Sequence, residues 1–321
     1  MKDKERFDLS TRNTEEIVTK KELKALISRK EAPTVYCGYE PSGPIHLGHL
    51  ITILKLLDFQ KSGFAVKVLL ADLHAFLNRK GDKRYITTQT TKWEKGMKSI
   101  GLDQAEFIKG SSFEYSEEYL NDLHEIALKT TINRGLRSMK EIARDIENAK
   151  ISQILYPLMQ AVDIKHLGVD VALGGMEQRR IHMLARERLP DLGYRSPIAI
   201  HTPIITSLKG PGEKMSSSVE GSFIDVLDSP ERIKEKIMEA YCPPEEVHQN
   251  PIIELTNYLL LPQFREVTIH RKEKYGGDLT IQSVEELNAR FKNGDLHPKD
   301  LKENVVRLLD ELISPVRELF R

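Results

Sequence analysis

Cysteine is scarce in this sequence. Only Cys37 and Cys242 occur among 321 residues, and they form no CxxC pair. This spacing disfavours both a structural zinc site and a disulfide framework. Few cysteines are typical of a reducing compartment, so we expect a cytoplasmic location. The length is ample for one to three domains with a core that needs no disulfide or metal.

Long hydrophobic runs are also missing. Residues 1–10 are rich in charge and lack the apolar run of a signal peptide. The apolar stretch at residues 51–57 is interrupted by Lys55 and followed by Asp58. No stretch approaches the roughly 20 apolar residues that a membrane helix needs. We therefore predict a soluble chain with no membrane partner.

Neither sign of charge is in excess, since 48 Lys and Arg residues balance 48 Asp and Glu residues. A zero net charge does not point to a nucleic-acid partner. It does not exclude one either, because local basic patches steer such binding more than the sum of charges does.

Strand-like and helix-like patterns alternate between about residues 33 and 201. Buried strands are predicted at residues 34–38, 64–71, 169–173 and 198–201, with a helix at residues 47–61. Alternation of this kind predicts an α/β fold with a Rossmann-type, doubly wound parallel sheet. Ligands of such sheets bind outside the carboxyl ends of the strands.

The pattern changes near residue 223. Ser229-Pro230 is typical of a helix start, Ser283 and Glu286 form a capping-box pattern, and residues 300–319 have helical apolar spacing. We predict a first domain over residues 1–222, with a helical insertion at about 113–150. A smaller, mostly helical domain is predicted over residues 223–321.

A first motif, PSGPIHLGH, occupies residues 41–49 between a predicted strand and a helix. The N-terminus of a helix favours anions, since its backbone N–H groups are unpaired there. His46 and His49 can donate hydrogen bonds to phosphate, and Gly48 has no side chain to keep a ligand from the backbone. The motif therefore predicts a triphosphate site. Ordinary surface or core histidines are the alternative, and zinc is disfavoured because the glutamate of HExxH is missing.

A second motif, KGPGEKMSSS, occupies residues 209–218. Its glycines and proline are typical of a turn-rich loop. Lys214 supplies a point charge on a flexible stem, which suits phosphate, and the serines add donors. The alternative is an ordinary surface loop.

Together, HLGH and KMSSS resemble the paired signature of class I aminoacyl-tRNA synthetases. Four flanking segments are similar to tyrosyl-tRNA synthetases of the archaeal and eukaryotic type: GYEPSG at 38–43, LADLHA at 70–75, YPLMQ at 156–160 and GGMEQR at 174–179. The likeness extends over nearly the whole chain. One departure from the general class signature is Ser217, where many members carry a second lysine. It leaves Lys214 as the only cation of the KMSSS segment.

The resemblance implies a ligase of protein biosynthesis. Such an enzyme uses ATP with Mg²⁺ to convert L-tyrosine to tyrosyl-adenylate and then loads the tyrosyl group onto the terminal adenosine of tRNA(Tyr). The attacking carboxylate is already ionised at pH 7, so the chemistry needs positioning and charge stabilisation rather than a general base. The implied catalytic residues are His46, His49, Lys214, Ser216 and Ser217. The implied ATP-binding residues are Gly43, His46, Gly48, His49, Gly174, Gly175, Lys214 and Met215.

The resemblance also assigns a tyrosine site. Tyr36 and Asp163 would contact the phenol, while Tyr156, Gln160 and Gln178 would hold the ammonium group. The i, i+4, i+7 spacing of Tyr156, Gln160 and Asp163 places them on one helix face. For Tyr156 the alternative is core packing, and for Asp163 a surface cap or ion pair. His74 would line the pocket or cap a strand end.

For the tRNA, the resemblance points to Arg137 and Arg179 at the acceptor stem. It points to Tyr275, His297 and Asp300 at the anticodon, where an aromatic ring can stack on a base. A basic cluster lies in the predicted insertion, where a solvated helix face is the alternative: Lys129, Arg134, Arg137, Lys140 and Arg144. A homodimer is also implied.

Three other functions remain as alternatives. A tryptophanyl enzyme would share the architecture, but Tyr36 with Asp163 favours a phenol. A small-molecule nucleotidylyltransferase can carry an HxGH-like motif, but its chains are typically shorter and lack KMSSS with a helical tail. A non-catalytic RNA-binding relative is disfavoured by the presence of both histidines and Lys214.

Overall fold

The computed structural model describes residues 1–139, 148, 150–216 and 219–320. The chain forms two compact units: a first unit of Met1–Gly43 and Lys55–Pro203, and a second unit of Pro44–Leu54 and Ile204–Arg321. The units group residues 44–54 and 204–222 with the C-terminal part of the chain. The predicted domain division after residue 222 stays a prediction.

The described residues of the first unit form a six-stranded sheet. Its strands are β1 (Glu16–Val18), β2 (Thr34–Tyr39), β3 (Ala65–Leu70), β4 (Glu106–Lys109), β5 (Val171–Gly175) and β6 (Ile198–Thr202). The order across the sheet is β1-β6-β5-β2-β3-β4. β1 pairs with β6 antiparallel, and the other neighbours are parallel. The predicted α/β class with a parallel sheet is confirmed.

Nine helices begin before β6. They are α1 (Asp3–Thr11), α2 (Lys20–Arg29), α3 (Leu47–Lys61), α4 (Asp72–Leu77), α5 (Lys83–Ser99), α6 (Glu117–Leu128), α7 (Ile132–Met139), α8 (Ile151–His166) and α9 (Arg179–Arg188), as counted over the described residues. Helices α6 and α7 lie in the segment that the sequence predicts as a helical insertion.

The strand order reverses between β2 and β5. The chain runs from β2 outward to β4 on one side and from β5 to β6 on the other. In open sheets of this type the carboxyl ends of the two strands at the reversal frame the ligand site. β2 carries Tyr36, and β5 ends at Gly174 and Gly175.

Three of the predicted strands correspond to β2, β3 and β6, but the prediction for β5 was wrong by two residues. Asp170 precedes the strand, and its carboxylate accepts hydrogen bonds from the backbone N–H and the hydroxyl of Thr34 at 2.8 and 2.9 Å. The regular register with β2 and β6 begins at Val171, although the Asp170 backbone already makes single hydrogen bonds to Thr34 and Ile198. Gly174 and Gly175 are therefore the last residues of the strand and do not follow it.

The part of the second unit after β6 is mostly helical. Its helices are α10 (Pro230–Glu239), α11 (Pro251–Leu255), α12 (Leu261–Phe264), α13 (Val284–Lys292) and α14 (Pro298–Leu319), with a π-helical turn at Thr256–Leu260. Ser229 and Ser283 cap α10 and α13 through their side chains, as their sequence patterns predict. A small antiparallel hairpin of β7 (Val267–Ile269) and β8 (Leu279–Ile281) was not predicted.

Among the helices of the described residues, none is both long enough and apolar enough to cross a bilayer.

Candidate active site

The histidine motif forms a turn that leads into α3. The N–H of Leu47 donates to the carbonyl of Ile224 at 3.0 Å, and the N–H of Val226 donates to the carbonyl of Ile45 at 3.1 Å. The turn is thus paired through its main chain with residues 224–226 of the same unit. This pairing fixes the position of both histidine backbones.

Both histidine rings accept a backbone hydrogen bond at Nδ1. The N–H of Gly48 donates to His46 Nδ1 at 3.1 Å, and the N–H of His46 donates to His49 Nδ1 at 3.2 Å. A neutral imidazole whose Nδ1 accepts must carry its proton on Nε2. The rings lie close together, with centroids 3.7 Å apart. The turn therefore presents two Nε2–H donors.

These donors are uncharged near neutral pH. Burial, with a contribution from Lys214, lowers the pKa of His46 to about 4. Burial also lowers the pKa of His49 well below its usual value, and His46 and Lys214 act in the same direction. A neutral Nε2–H can stabilise phosphate oxygens without a change of protonation.

Gly48 is required by the ring of His46. A Cβ atom at Gly48 would lie 2.9 Å from His46 Cε1 and 3.0 Å from its Nδ1. Any side chain at this position would therefore displace the imidazole. The sequence indicated that Gly48 leaves room for a ligand, and the structure adds that it leaves room for the histidine.

The lysine motif lies in the same unit as the histidine turn. Lys214 forms an isolated β-bridge with Thr206, and the N–H of Met215 donates to the carbonyl of Ile205 at 2.9 Å. The Ser216 carbonyl accepts a hydrogen bond of 2.7 Å from the Ser222 hydroxyl. Lys214 is near enough to both histidines to affect their pKa values. Ser217 lies outside the described residues.

The predicted tyrosine-binding residues come together in the first unit around α8. This helix packs against α4, α6, α7 and α9, so residues 156–164 are buried on all sides. Asp163 is 0% exposed, which excludes the alternative of a surface cap. The helix thus carries a carboxylate into an apolar core.

Asp163 lies among polar groups of three other elements. Its Oδ1 accepts a hydrogen bond of 2.8 Å from the hydroxyl of Tyr119. Its Oδ2 lies 3.0 Å from His74 Nε2, although the two atoms lack the alignment of a hydrogen bond. Burial raises the pKa of Tyr36 well above its usual value, and Asp163 adds to this effect, so the Tyr36 phenol stays protonated. The Tyr36 hydroxyl is buried without a well-formed hydrogen bond to any described residue.

The residues predicted to hold the ammonium group are also close together. Gln160 Nε2 donates to Gln178 Oε1 at 3.3 Å. The ring of Tyr156 meets that of His74 edge to face, with centroids 4.7 Å apart. A Cβ atom at Gly174 would lie 2.8 Å from Cβ and Cγ of Gln178. Glycine at the end of β5 therefore allows Gln178 to pack against the strand.

The sequence did not reveal Glu114 and Tyr119. Both are buried and contact the His74–Asp163 pair. Neither residue belongs to a motif. Both are also distant in the sequence from the residues they contact: Tyr119 and Asp163, for example, are 44 residues apart. Glu40 was also missed. Burial raises the pKa of Tyr156 well above its usual value, and a side-chain hydrogen bond involving Glu40 adds to that shift.

Two other predicted ATP-binding residues lie in the first unit with Gly174. The Gly43 carbonyl accepts a hydrogen bond of 2.7 Å from Trp93 Nε1. A Cβ atom at Gly175 would lie 2.3 Å from Glu177 Oε2, so that side chain would have to move.

The residues predicted to contact tRNA are spread over both units. In the first unit, Arg137 is exposed, whereas Arg179 Nε pairs with Glu16 at 2.8 Å. In the second unit, Tyr275 is 57% exposed and His297 caps α14 by accepting the Lys299 N–H at 3.1 Å. Asp300 lies in the first turn of α14. Lys140 and Arg144 lie outside the described residues.

The sequence matches the model of one protein family over residues 28–314, and that family is described as class I tRNA synthetases of the W and Y group. The chain belongs to this family. Its membership agrees with the paired histidine and lysine motifs of the second unit and with the parallel sheet of the first.

Several relatives of this synthetase are tyrosine–tRNA ligases. That of Methanopyrus kandleri is 51% identical over 98% of this chain and 97% of its own length. Among solved structures, the tyrosyl-tRNA synthetase of Archaeoglobus fulgidus complexed with L-tyrosine has a TM-score of 0.96 at 49% identity, covering 99% of both chains. That of Pyrococcus horikoshii, also with L-tyrosine, has a TM-score of 0.92 at 33% identity, covering 100% of this chain and 96% of the other.

The variant Gly48→Ala is expected to slow adenylate formation by this synthetase roughly 10²-fold, because displacement of a positioned catalytic group by about 1 Å has effects of that size. The added methyl group would meet the His46 ring. Single-turnover quench-flow measures the rate, and the KM for the amino acid should not change. A wild-type rate in Gly48→Ala would show that the position of His46 does not matter.

The pH dependence tests the charge of the histidines. At saturating amino acid and ATP, the single-turnover rate should not fall as the pH rises from about 6 to 8. Neutral donors keep Nε2–H throughout this range, whereas an imidazolium with the ordinary pKa near 6.5 would lose its proton. A rate that falls along a titration curve centred near 6.5, and that loses this dependence in His46→Gln, would contradict neutral donation.

Proposed function

We propose that this synthetase is a tyrosine–tRNA ligase. It activates L-tyrosine with ATP to give tyrosyl-adenylate and pyrophosphate, and then transfers the tyrosyl group to the terminal adenosine of tRNA(Tyr). The observation that carries this function is the pair of Tyr36 and Asp163, two buried polar groups with capacity for one more hydroxyl.

A phenol satisfies both groups at once. Its hydroxyl donates to Asp163 Oδ2 and accepts from the protonated Tyr36 hydroxyl. Phenylalanine would leave both groups buried and unpaired, which costs more than the lost hydrogen bonds alone. Tyrosyl-tRNA synthetases are themselves the standard example of this discrimination. Tryptophan fits less well, because its indole N–H donates but has no oxygen to accept from Tyr36.

Activation needs donors rather than a base. The tyrosine carboxylate attacks the α-phosphorus of ATP, and pyrophosphate leaves with the Mg²⁺ that enters as part of the MgATP substrate. His46 and His49 donate through Nε2–H to the phosphate oxygens, and Lys214 supplies a positive charge. Ser216 and Ser217 are proposed as further donors. Gly174 and Gly175 leave the carboxyl end of β5 without side chains, which suits the approach of the adenosine ribose.

The tRNA is held by both units in this proposal. Arg137 and Arg179 serve the acceptor stem, and Arg179 must then exchange or share its pairing with Glu16. Residues 223–321 form the anticodon-binding domain, where Tyr275, His297 and Asp300 contact the bases. The reaction takes place in the cytoplasm.

Large apolar side chains on α6 to α8 support a homodimer. Leu128, Ile132 and Ile151 are 82%, 66% and 77% exposed. Their helices are neighbours, since α6 and α7 both pack against α8, and exposed apolar side chains on neighbouring helices are typical of protein interfaces. One chain has a mass of 36.7 kDa, and sedimentation equilibrium should give twice that value.

Pyrophosphate exchange tests the function directly. Labelled pyrophosphate should enter ATP with L-tyrosine present, and far more slowly with phenylalanine or tryptophan. Charging of tRNA(Tyr) transcript should follow. Exchange that depends on tryptophan, or no exchange with any amino acid, would contradict the proposed function.

A further inference from the structure

Glu114 is a buried acid that the proposed reaction does not use. Its side chain is 0% exposed, and neither carboxyl oxygen has a hydrogen-bond partner among the described residues. A buried carboxyl is costly unless other groups compensate it. Glu114 lies beside the residues proposed to bind tyrosine, so its charge can affect them.

The surrounding backbone holds Glu114 in place. It follows a 3₁₀ turn (Gly110–Ser112) in which Ser111 donates to Asp72 through its N–H at 2.8 Å and its hydroxyl at 2.6 Å. Asp72 is the first residue of α4, the helix that carries His74. A Cβ atom at Gly110 would lie 2.2 Å from Glu114 Oε1, so the carboxyl packs directly on that glycine.

The carboxyl of Glu114 faces His74. His74 Nε2 lies 3.5 Å from Glu114 Oε1 and 3.0 Å from Asp163 Oδ2. Burial alone would lower the pKa of His74, but the two acids raise it well above its usual value, so Nε2 carries a proton. One N–H cannot point fully at two acceptors. Each acid thus limits how strongly the other binds this proton.

We propose that Glu114 is a positioning residue for tyrosine recognition: it draws the Nε2–H of His74 away from Asp163, so that Asp163 Oδ2 remains able to accept the phenol hydroxyl of the substrate. This inference rests on the proposed function. Without Glu114, the His74 proton turns towards Oδ2, while Oδ1 is already occupied by Tyr119. The phenol then meets a weaker acceptor.

Protonation of Glu114 should have the same effect as its removal. Burial and Asp163 raise the pKa of Glu114 to about 7, His74 opposes this shift, and Asp72 adds to it. The neighbouring Tyr119 phenol stays protonated, since burial raises its pKa. As the pH falls through about 7, Glu114 loses the negative charge that attracts the His74 proton, and the KM for tyrosine should rise.

The test is the variant Glu114→Gln, measured by pyrophosphate exchange. An amide accepts less strongly than a carboxylate, and its NH₂ group can itself donate to Asp163. We expect the KM for tyrosine to rise about tenfold with kcat within a factor of two, because the phenol bond is equally present in ground and transition states. The kcat/KM for phenylalanine should not change. The pH dependence of the tyrosine KM near 7 should be lost.

A second variant tests the position of the Glu114 carboxyl, and a third serves as the control. Gly110→Ala displaces the Glu114 carboxyl but retains its charge, and should raise the tyrosine KM in the same direction. Glu117→Gln, an exposed acid in the first turn of α6, is the matched control and should behave as wild type.

Three results would overturn the inference. The first is a wild-type tyrosine KM in both Glu114→Gln and Gly110→Ala. The second is an equal loss for tyrosine and phenylalanine, which indicates a structural role alone. The third is a stoichiometric metal ion in the purified protein that Glu114→Gln loses, since His74, Glu114 and Asp163 are close enough to ligate one. Absence of tyrosine-dependent exchange in the wild type would instead contradict the proposed function.

Discussion

Replacement of His49 by alanine should slow tyrosyl-adenylate formation by roughly 10²–10³, the usual effect of removing one preorganised donor to a developing charge. The His46 N–H donates a hydrogen bond to His49 Nδ1, so the neutral ring carries its proton on Nε2. The donor is neutral and already oriented by this hydrogen bond, so little reorganisation is needed when the phosphate arrives. Tyrosine binding should not change, because the residues proposed to bind tyrosine do not include His49.

Single-turnover quench-flow measures this rate, and equilibrium dialysis with labelled tyrosine measures binding. The variant His248→Ala is the matched control, since His248 is an exposed histidine of the same unit that lies outside both motifs. Normal adenylate formation in His49→Ala would remove His49 from the mechanism.

The variant Asp163→Asn should lower kcat/KM for tyrosine by roughly 10²-fold, since a hydrogen bond to a charged group contributes about 1.5–3 kcal/mol. The amide is nearly isosteric with the carboxylate, but it is uncharged and offers one acceptor oxygen instead of two. That oxygen must serve both the Tyr119 hydroxyl and the substrate phenol. Phenylalanine makes no hydrogen bond to Asp163, and an unpaired amide costs less than an unpaired carboxylate, so the kcat/KM for phenylalanine should not fall.

Pyrophosphate exchange with tyrosine and phenylalanine gives the ratio of the two kcat/KM values in each variant. Asp103→Asn serves as the control, because Asp103 is an exposed acid in the same unit. A proportional loss for both amino acids in Asp163→Asn would mean that Asp163 only stabilises the fold.

The sequence predicted the strands that are continuously apolar, whereas the roles of the motif residues stay predictions. Strand β2 and the turn that follows it as far as His49 could be predicted, because strand, turn and helix follow one another directly in the sequence. The i, i+4, i+7 spacing placed Tyr156, Gln160 and Asp163 on one face of α8, and the structure brings them together. Local pattern was sufficient for these features.

Features that depend on contacts between distant residues could not be predicted in this way. The proton position on His46 and His49 follows from which backbone N–H faces each ring, and no spacing encodes that. Glu114 faces His74 where the turn before it is hydrogen-bonded to Asp72, the first residue of the helix that carries His74. The limits of β5 likewise depend on its pairing with β2 and β6, which are distant in the chain.

Short strands were missed for a related reason. β1 has three residues, Glu16–Val18, and exists through its antiparallel pairing with β6. β7 and β8 are equally short and stabilise each other. Three residues contain too little alternation to indicate a strand.

The central claim is that the histidine turn and the Lys214 loop bind the phosphates of ATP. A crystal structure with a non-hydrolysable ATP analogue tests this most directly. We predict phosphate oxygens within hydrogen-bond distance of Nε2 of His46 and His49, with Lys214 Nζ beside them. A triphosphate bound away from both segments would contradict the account.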